Sequence, residues 1–245
     1  MAQERSKNPT RESTARARST SRLESTVNRG QAPITALRLV CIADTHGLHR
    51  DLDLPIGDIL IHAGDFDGRS VGAIDDFNAW LGTLAFRHKL VIAGNHDLLF
   101  DKRPKLARKH LTNAVYLQDS GIRLKGLNFW GSPVNSIIGE DWAFGRERLV
   151  KLRQHWDLIP DSTDVLITHE PPYGTLDKAD ILTKHRGCQY LLGALLRVKP
   201  KLHVFGHIHG GYGQELAWNV TLINCAVVDN QRRLTNLPKV VELTR

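Results

Sequence analysis

RLVCIA (38–43), running straight into Asp44-Thr45-His46, decides how this chain reads. Six nearly all apolar residues, not alternating with polar ones, describe a strand covered on both faces. A carboxylate and an imidazole then stand where that strand ends. The device recurs four times. DILIHA (58–63) leads into Gly64-Asp65, KLVIA (89–93) into Gly94-Asn95-His96-Asp97, DVLIT (164–168) into His169, and KLHVF (201–205) into Gly206-His207-Ile208-His209. Between these strands lie segments of helical period. Ile74, Phe77, Leu81 and Leu84 recur at three- or four-residue steps, as do Leu149, Leu152 and Trp156. Residues 187–198 (GCQYLLGALLRV) read as a buried helix that stops before Pro200. The stretches 115–117, 122–124 and 127–130 read as a meander, and 220–224 and 239–243 as two further strands. The expected class is a layered α/β domain from about residue 37 to 245.

Composition narrows the field. The chain has 245 residues, 41% hydrophobic and 24% charged, so it can bury a core without covalent staples. Three widely spaced cysteines (Cys41, Cys188, Cys225) argue against a disulfide framework. No apolar run reaches the roughly 20 residues of a membrane span. Of the formal charge of +7, the segment 1–36 carries +4, from Arg5, Lys7, Arg11, Arg16, Arg18, Arg22 and Arg29 against Glu4, Glu12 and Glu24. Rich in Ser and Thr and poor in apolar residues, it reads as a disordered basic tail. Its three acids count against a transit peptide, and no apolar leader is visible, so the expected location is cytoplasmic.

Open α/β sheets bind ligands outside the carboxyl ends of their strands, so the five polar ends are expected to converge. That many ionisable groups at one edge need a counter-charge, and metal coordination supplies one. The donors are nitrogen and oxygen without thiolate, which suits Mn, Fe, Zn, Co or Ni. Seven candidate donors exceed one tetrahedral ion, so two ions sharing a carboxylate fit better.

The ordered series DTH, GD, GNHD, H and GHIH, from Asp44 to His209, resembles the signature of calcineurin-like metallophosphoesterases. CIADTHG, GDILIHAGDF, FNAWLG, VIAGNHDLLFDK, GSPVN, THEPPYG and KLHVFGHIHGGYG further resemble the metallophosphoesterase domain-containing subgroup. The resemblance implies a four-layer αββα sandwich, two mixed sheets flanked by helices, with a dinuclear centre on the loops at one edge. It implies one ion on Asp44, His46 and His209, a second on Asn95, His169 and His207, and Asp65 shared. It implies that a hydroxide between the ions attacks phosphorus, that His96 stabilises the phosphate and protonates the leaving oxygen, and that Asp97 orients His96. Some subgroup members have glycine where His207 stands; here the set is complete, so an active enzyme is expected. The implied cofactors are two divalent ions, manganese foremost. The implied substrates are small phosphodiesters, including cyclic nucleotides, with neither a membrane nor, for preference, nucleic acid as partner. The alternatives are a metal-loaded nucleotide-binding scaffold with little turnover, or a nuclease. Glu170, beside His169, stands where the subgroup has a smaller residue and is a candidate for tuning substrate charge preference. Gly210-Gly211 after the last motif looks looser than the subgroup pattern.

Other patterns carry less. GRSVG (68–72) matches the serine-nucleophile pattern GxSxG but lies three residues beyond the strand end, where an elbow would not sit. His62 reads as structural, His49, just after the first motif, as a weak candidate for substrate contact, and Trp142 and Phe144 as the residues placed to meet a nucleobase.

Overall fold

The computed structural model describes residues 36–136, 139, 141–146 and 150–244. The expected tail therefore lies outside the described residues except for Ala36, as does Leu149. The first three apolar runs form β1 (Leu37–Ile42), β2 (Ile59–Ala63) and β3 (His88–Ile92), parallel neighbours in one sheet. The last two form β7 (Val165–Thr168) and β8 (Leu202–Phe205), parallel neighbours in a second.

The expected meander is divided between the two sheets. β4 (Val115–Tyr116), its first segment, instead pairs parallel with β3. β5 (Ser120–Leu124) and β6 (Leu127–Ser132) form an antiparallel hairpin in the second sheet. The short apolar pattern marks all three segments as strands but carries no record of their partners. β9 (Gly213–Ala217) has no strand signal because it is a polar edge strand, largely exposed. β10 (Val220–Asn224) pairs with β8 and β9, whereas β11 (Lys239–Leu243) crosses back to pair antiparallel with β1. The orders are β11-β1-β2-β3-β4 and β5-β6-β7-β8-β10-β9.

Alternation within each strand builds the layers. Leu39, Cys41, Ile59, Ile61, Leu90 and Ile92 of the first sheet meet Phe129, Val165, Ile167, Leu202 and Val204 of the second in one apolar layer. The opposite face of the first sheet (Val40, Ile42, Leu60, Val91) takes α1 (Val71–Thr83) through Ile74, Phe77, Trp80 and Leu81. Two short helices, α2 (Leu98–Lys102) and α3 (Pro104–His110), add Phe100 and Ala107 to that layer. Leu166, Phe205 and Leu222 face outward from the second sheet onto α4 (Val150–Trp156) and α5 (Gln189–Val198). The result is the four-layer αββα sandwich. α5 starts two residues later than its apolar pattern, because Gly187 N donates to Asp177 and Cys188 N to the Pro171 carbonyl. Ser70 of the GxSxG match caps α1, its hydroxyl accepting from Ala73 N at 3.2 Å.

Candidate metal centre

The candidate ligands leave the strand ends in backbone conformations that ordinary residues avoid. Asp44, His46, Asp65 and His207 have φ of 57°, 43°, 61° and 67°. Such left-handed non-glycine residues cluster where surrounding structure over-determines a functional geometry. The motif glycines are the other half of the device. A Cβ on Gly94 would lie 2.3 Å from Asp65 Oδ1, and one on Gly206 would lie 2.1 Å from Asp44 Oδ2. The two carboxylates thus occupy the space that side chains of neighbouring loops would fill.

Six of the seven side chains are tied by short contacts. Asp65 Oδ2 stands 3.4 Å from His169 Nε2 and 3.9 Å from both His46 Nε2 and His96 Nε2. Asn95 Oδ1 is 2.8 Å from His169 Nε2. His46 and His209 face each other through Nε2 atoms at 3.3 Å, and His209 Nε2 is 3.4 Å from Asp44 Oδ1. His207, the seventh, donates its backbone N–H to Asp44 Oδ2 at 2.9 Å, and its ring centroid lies 4.9 Å from that of His169. Grouped by atoms that one cation can reach, the sets are Asp44, His46 and His209; Asp44, Asp65 and His169; and His46, Asp65 and His96. The last includes His96, which the resemblance places outside the ligand set.

Two backbone carbonyls fix imidazole orientations: His169 Nδ1 donates to Ala63 O at 2.9 Å, and His209 Nδ1 to Asp229 O at 3.0 Å. Both rings thereby turn Nε2 toward the carboxylates, as ligating histidines do.

The electrostatics are those of a site built around positive charge. Burial alone would lower the His169 pKa, but Asp65 beside it raises it to about 10. Burial likewise opposes His209, and the Asp44 carboxylate 3.4 Å from its Nε2 carries it above its usual value. Burial dominates at His46 and His207, lowering them to about 4 and about 3. Although burial works against their ionisation, Asp44 and Asp65 are both held below the ordinary carboxylate range by these imidazoles. The two buried carboxylates are thus offset by the proton that His169 retains, with His209 shifted in the same direction. Asp44 Oδ1 is buried with no hydrogen-bond partner among the described residues. A nitrogen and oxygen donor set with an orphaned carboxylate oxygen fits divalent first-row ions.

The Asp97 carboxylate, which the resemblance implies orients His96, is directed at backbone amides. Its Oδ2 accepts from the backbone N–H of Gly94 at 2.7 Å and of Asp65 at 2.9 Å, and its Oδ1 from Gly68 at 2.6 Å. It clamps the Asp65 and Asn95 loops together, while the His96 ring nitrogens face Arg69 and Arg232. Glu170 is likewise buried and tied to a neighbouring loop. Only 1% exposed, its Oε2 accepts from Ser136 N at 2.9 Å and Ser136 Oγ at 2.8 Å. Trp142 sets an edge on His96 at 4.8 Å between centroids, but Phe144 is buried in the apolar core. His62 bonds Thr45 and His49 faces Asp76, both as structural groups.

A cavity of about 600 Å³ opens beside His207 and is lined by Tyr173, His185, Arg186, Gln189 and Tyr190 among others. Its wall is the loop between β7 and α5, drawn together by Asp177, which accepts from Gly174 N, Gly187 N and His185 Nδ1 at 3.0, 2.9 and 2.5 Å. No strand-end motif announces these residues; their only sequence signal is a polar, aromatic loop following a candidate ligand.

The profile of the family described as Calcineurin-like phosphoesterase matches residues 37–211. Metallophosphoesterase domain-containing protein 1 of Homo sapiens is 38% identical over 231 residues, covering 84% of this chain and 71% of that protein. A UPF0046 protein of Caenorhabditis elegans is also 38% identical, over 84% of this chain and 81% of its own length. A solved crystal structure shares the fold with a TM-score of 0.62 at 16% identity, covering 86% of this chain and 99% of the other. TT1561 of Thermus thermophilus does so with a TM-score of 0.55 at 11% identity, over 86% and 99% of the two chains. Among the described residues no helix is long and apolar enough to cross a membrane. With five strand ends converging on one cluster of carboxylates and imidazoles, and this similarity spanning most of the chain, the protein belongs to the calcineurin-like phosphoesterase family and is a homologue of the metallophosphoesterase domain-containing proteins.

Proposed function

We propose that the protein is a two-metal phosphodiesterase acting on small phosphodiesters, cyclic nucleotides among them. The observation that carries the reading is a single oxygen, Asp65 Oδ2, facing imidazoles from three separate loops. Asp44, His46 and His209 would hold one divalent ion, and Asn95, His169 and His207 the other, with Asp65 shared. Manganese is the first choice among ions this donor set accepts, with Fe, Zn, Co and Ni as alternatives. When bound, two such ions polarise a phosphoryl oxygen and bring the pKa of water near neutrality.

The chain's own groups do the rest. His96 stands at the mouth, its side chain 12% exposed, within reach of an ester oxygen beside Asp65. Burial lowers its pKa and Asp65 partly opposes this, so the free ring is neutral at pH 7. A phosphate anion alongside raises it, which ties protonation of this acid to substrate binding. Asp97 holds the backbone on which both Asp65 and His96 ride. The cavity beside His207 offers room for the ester group.

Metal analysis of the purified protein, paired with manganese-supplemented turnover of bis-nitrophenyl phosphate, tests the proposal. Asp65→Ala and His96→Ala both abolish turnover, and only the first loses metal. Absence of metal-dependent nitrophenol release refutes the reading. Tight nucleotide binding with negligible turnover would favour a binding scaffold instead.

A further inference from the structure

Arg232 has a side chain whose placement the roles above do not explain. It sits in the left-handed region, at φ 58°, in a turn built by Asp229. That carboxylate accepts from Gln231 N at 2.9 Å, Arg233 N at 3.0 Å and Arg233 Nε at 2.8 Å. The carbonyl of the same Asp229 orients His209, so one turn fixes a candidate metal ligand and the position of Arg232 together. From this turn Arg232 reaches back to His96 Nε2 at 3.2 Å. Arg69, from the loop before α1, meets Nδ1 of the same ring.

A neutral imidazole has one acceptor nitrogen, so the His96 ring cannot satisfy both donors. Arg69 is balanced by Asp67 at 3.3 Å, but among the described residues no carboxylate pairs with Arg232. Two guanidiniums therefore converge on one ring at the mouth of the centre, and only Arg69 has a carboxylate beside it to offset its charge. Planar forks of this kind match the oxygens of a phosphate, which an imidazole nitrogen does not replace.

We propose that Arg232 is a substrate-binding residue whose guanidinium takes a non-bridging oxygen of the phosphoryl group, across the ring from Arg69. In moving to that oxygen it frees His96 Nε2 to face the ester oxygen. The identity of the ester rests on the phosphodiesterase reading; the ligand chemistry, a tetrahedral phosphate oxyanion, does not need turnover to be measured.

The test is calorimetric titration of inorganic phosphate into the full-length, manganese-supplemented protein, with Arg232→Gln and Arg232→Lys beside the wild type. Metal content and melting temperature are measured for each. The dissociation constant for phosphate rises at least tenfold in Arg232→Gln and by less in Arg232→Lys, with metal content unchanged. Equal phosphate affinity in all three overturns the proposal, and so does a wild type that binds no phosphate. Metal loss in Arg232→Gln also overturns it, because Arg232 would then be a prop for the His209 loop. Bis-nitrophenyl phosphate turnover is followed in parallel. Arg232-dependent phosphate binding without metal-dependent turnover would sink the phosphodiesterase reading and leave this one standing.

Discussion

Removing the Asp97 carboxylate separates a clamp from a catalytic orienter. The side chain is fully buried and satisfies three backbone N–H groups, those of Asp65, Gly68 and Gly94. Hydrogen bonds to a charged group contribute about 1.5–3 kcal/mol each, and a buried donor left unpaired costs about 1–3 kcal/mol. Three such donors set an upper range of about 5–9 kcal/mol for Asp97→Ala. Relief of burying a second carboxylate near Asp65 offsets part of that, since burial and Asp65 already push Asp97 up to about 7. A net loss of about 4 kcal/mol is expected. Asp97→Asn keeps one acceptor oxygen for the Gly94 and Asp65 amides but turns an NH2 toward Gly68, so about 2 kcal/mol is expected. At about 2–4 °C per kcal/mol for a domain of this size, melting falls by about 8–16 °C and about 4–8 °C respectively. Urea denaturation of the metal-free protein measures both. If Asp97→Ala unfolds at the wild-type urea midpoint while losing only turnover, the clamp is wrong and the orienting role implied by resemblance is right.

Metal binding to the metal-free protein at pH 7 displaces about one proton, because His169 is raised to about 10; titrations in buffers of different ionisation enthalpy count it, and a proton-neutral association would contradict this. His203 is fully buried, and burial lowers it to about 3. The folded state keeps the ring neutral while the unfolded chain protonates it below about 6.5, so stability drops as pH falls from 6.5 toward 3, by about 2 kcal/mol at pH 5. His203→Gln therefore flattens the melting-temperature profile between about pH 6.5 and 4, and an unaltered slope would count against it. A Cβ on Gly210 would lie 1.8 Å from the Ala179 carbonyl oxygen. Gly210→Ala is expected to cost about 2 kcal/mol and to expose the 176–184 loop to limited proteolysis; wild-type resistance would show that the glycine pair is as loose as its sequence looks.

The five strand ends were legible in the sequence for a physical reason. A fully buried parallel strand must be continuously apolar, and a ligand must stand where it stops, so both signals lie on consecutive residues from Val40 to His46 and from Leu90 to Asp97. The αββα class followed from the resemblance those motifs carry, and the presence of α1 from the period of Ile74, Phe77, Leu81 and Leu84. What the sequence could not hold is pairing between remote segments. β4 and β5 look alike locally, yet they belong to different sheets, because hydrogen-bond partners are chosen by packing over the whole domain. Nor could adjacency in sequence reveal that Asp97, next to His96, spends its oxygens on three backbone amides, or that Arg232, 136 residues from His96 in the chain, is a residue that touches the ring. The letters set which groups end the strands; only the closing of two sheets over one core brought those ends, and the loops beyond them, within bonding distance.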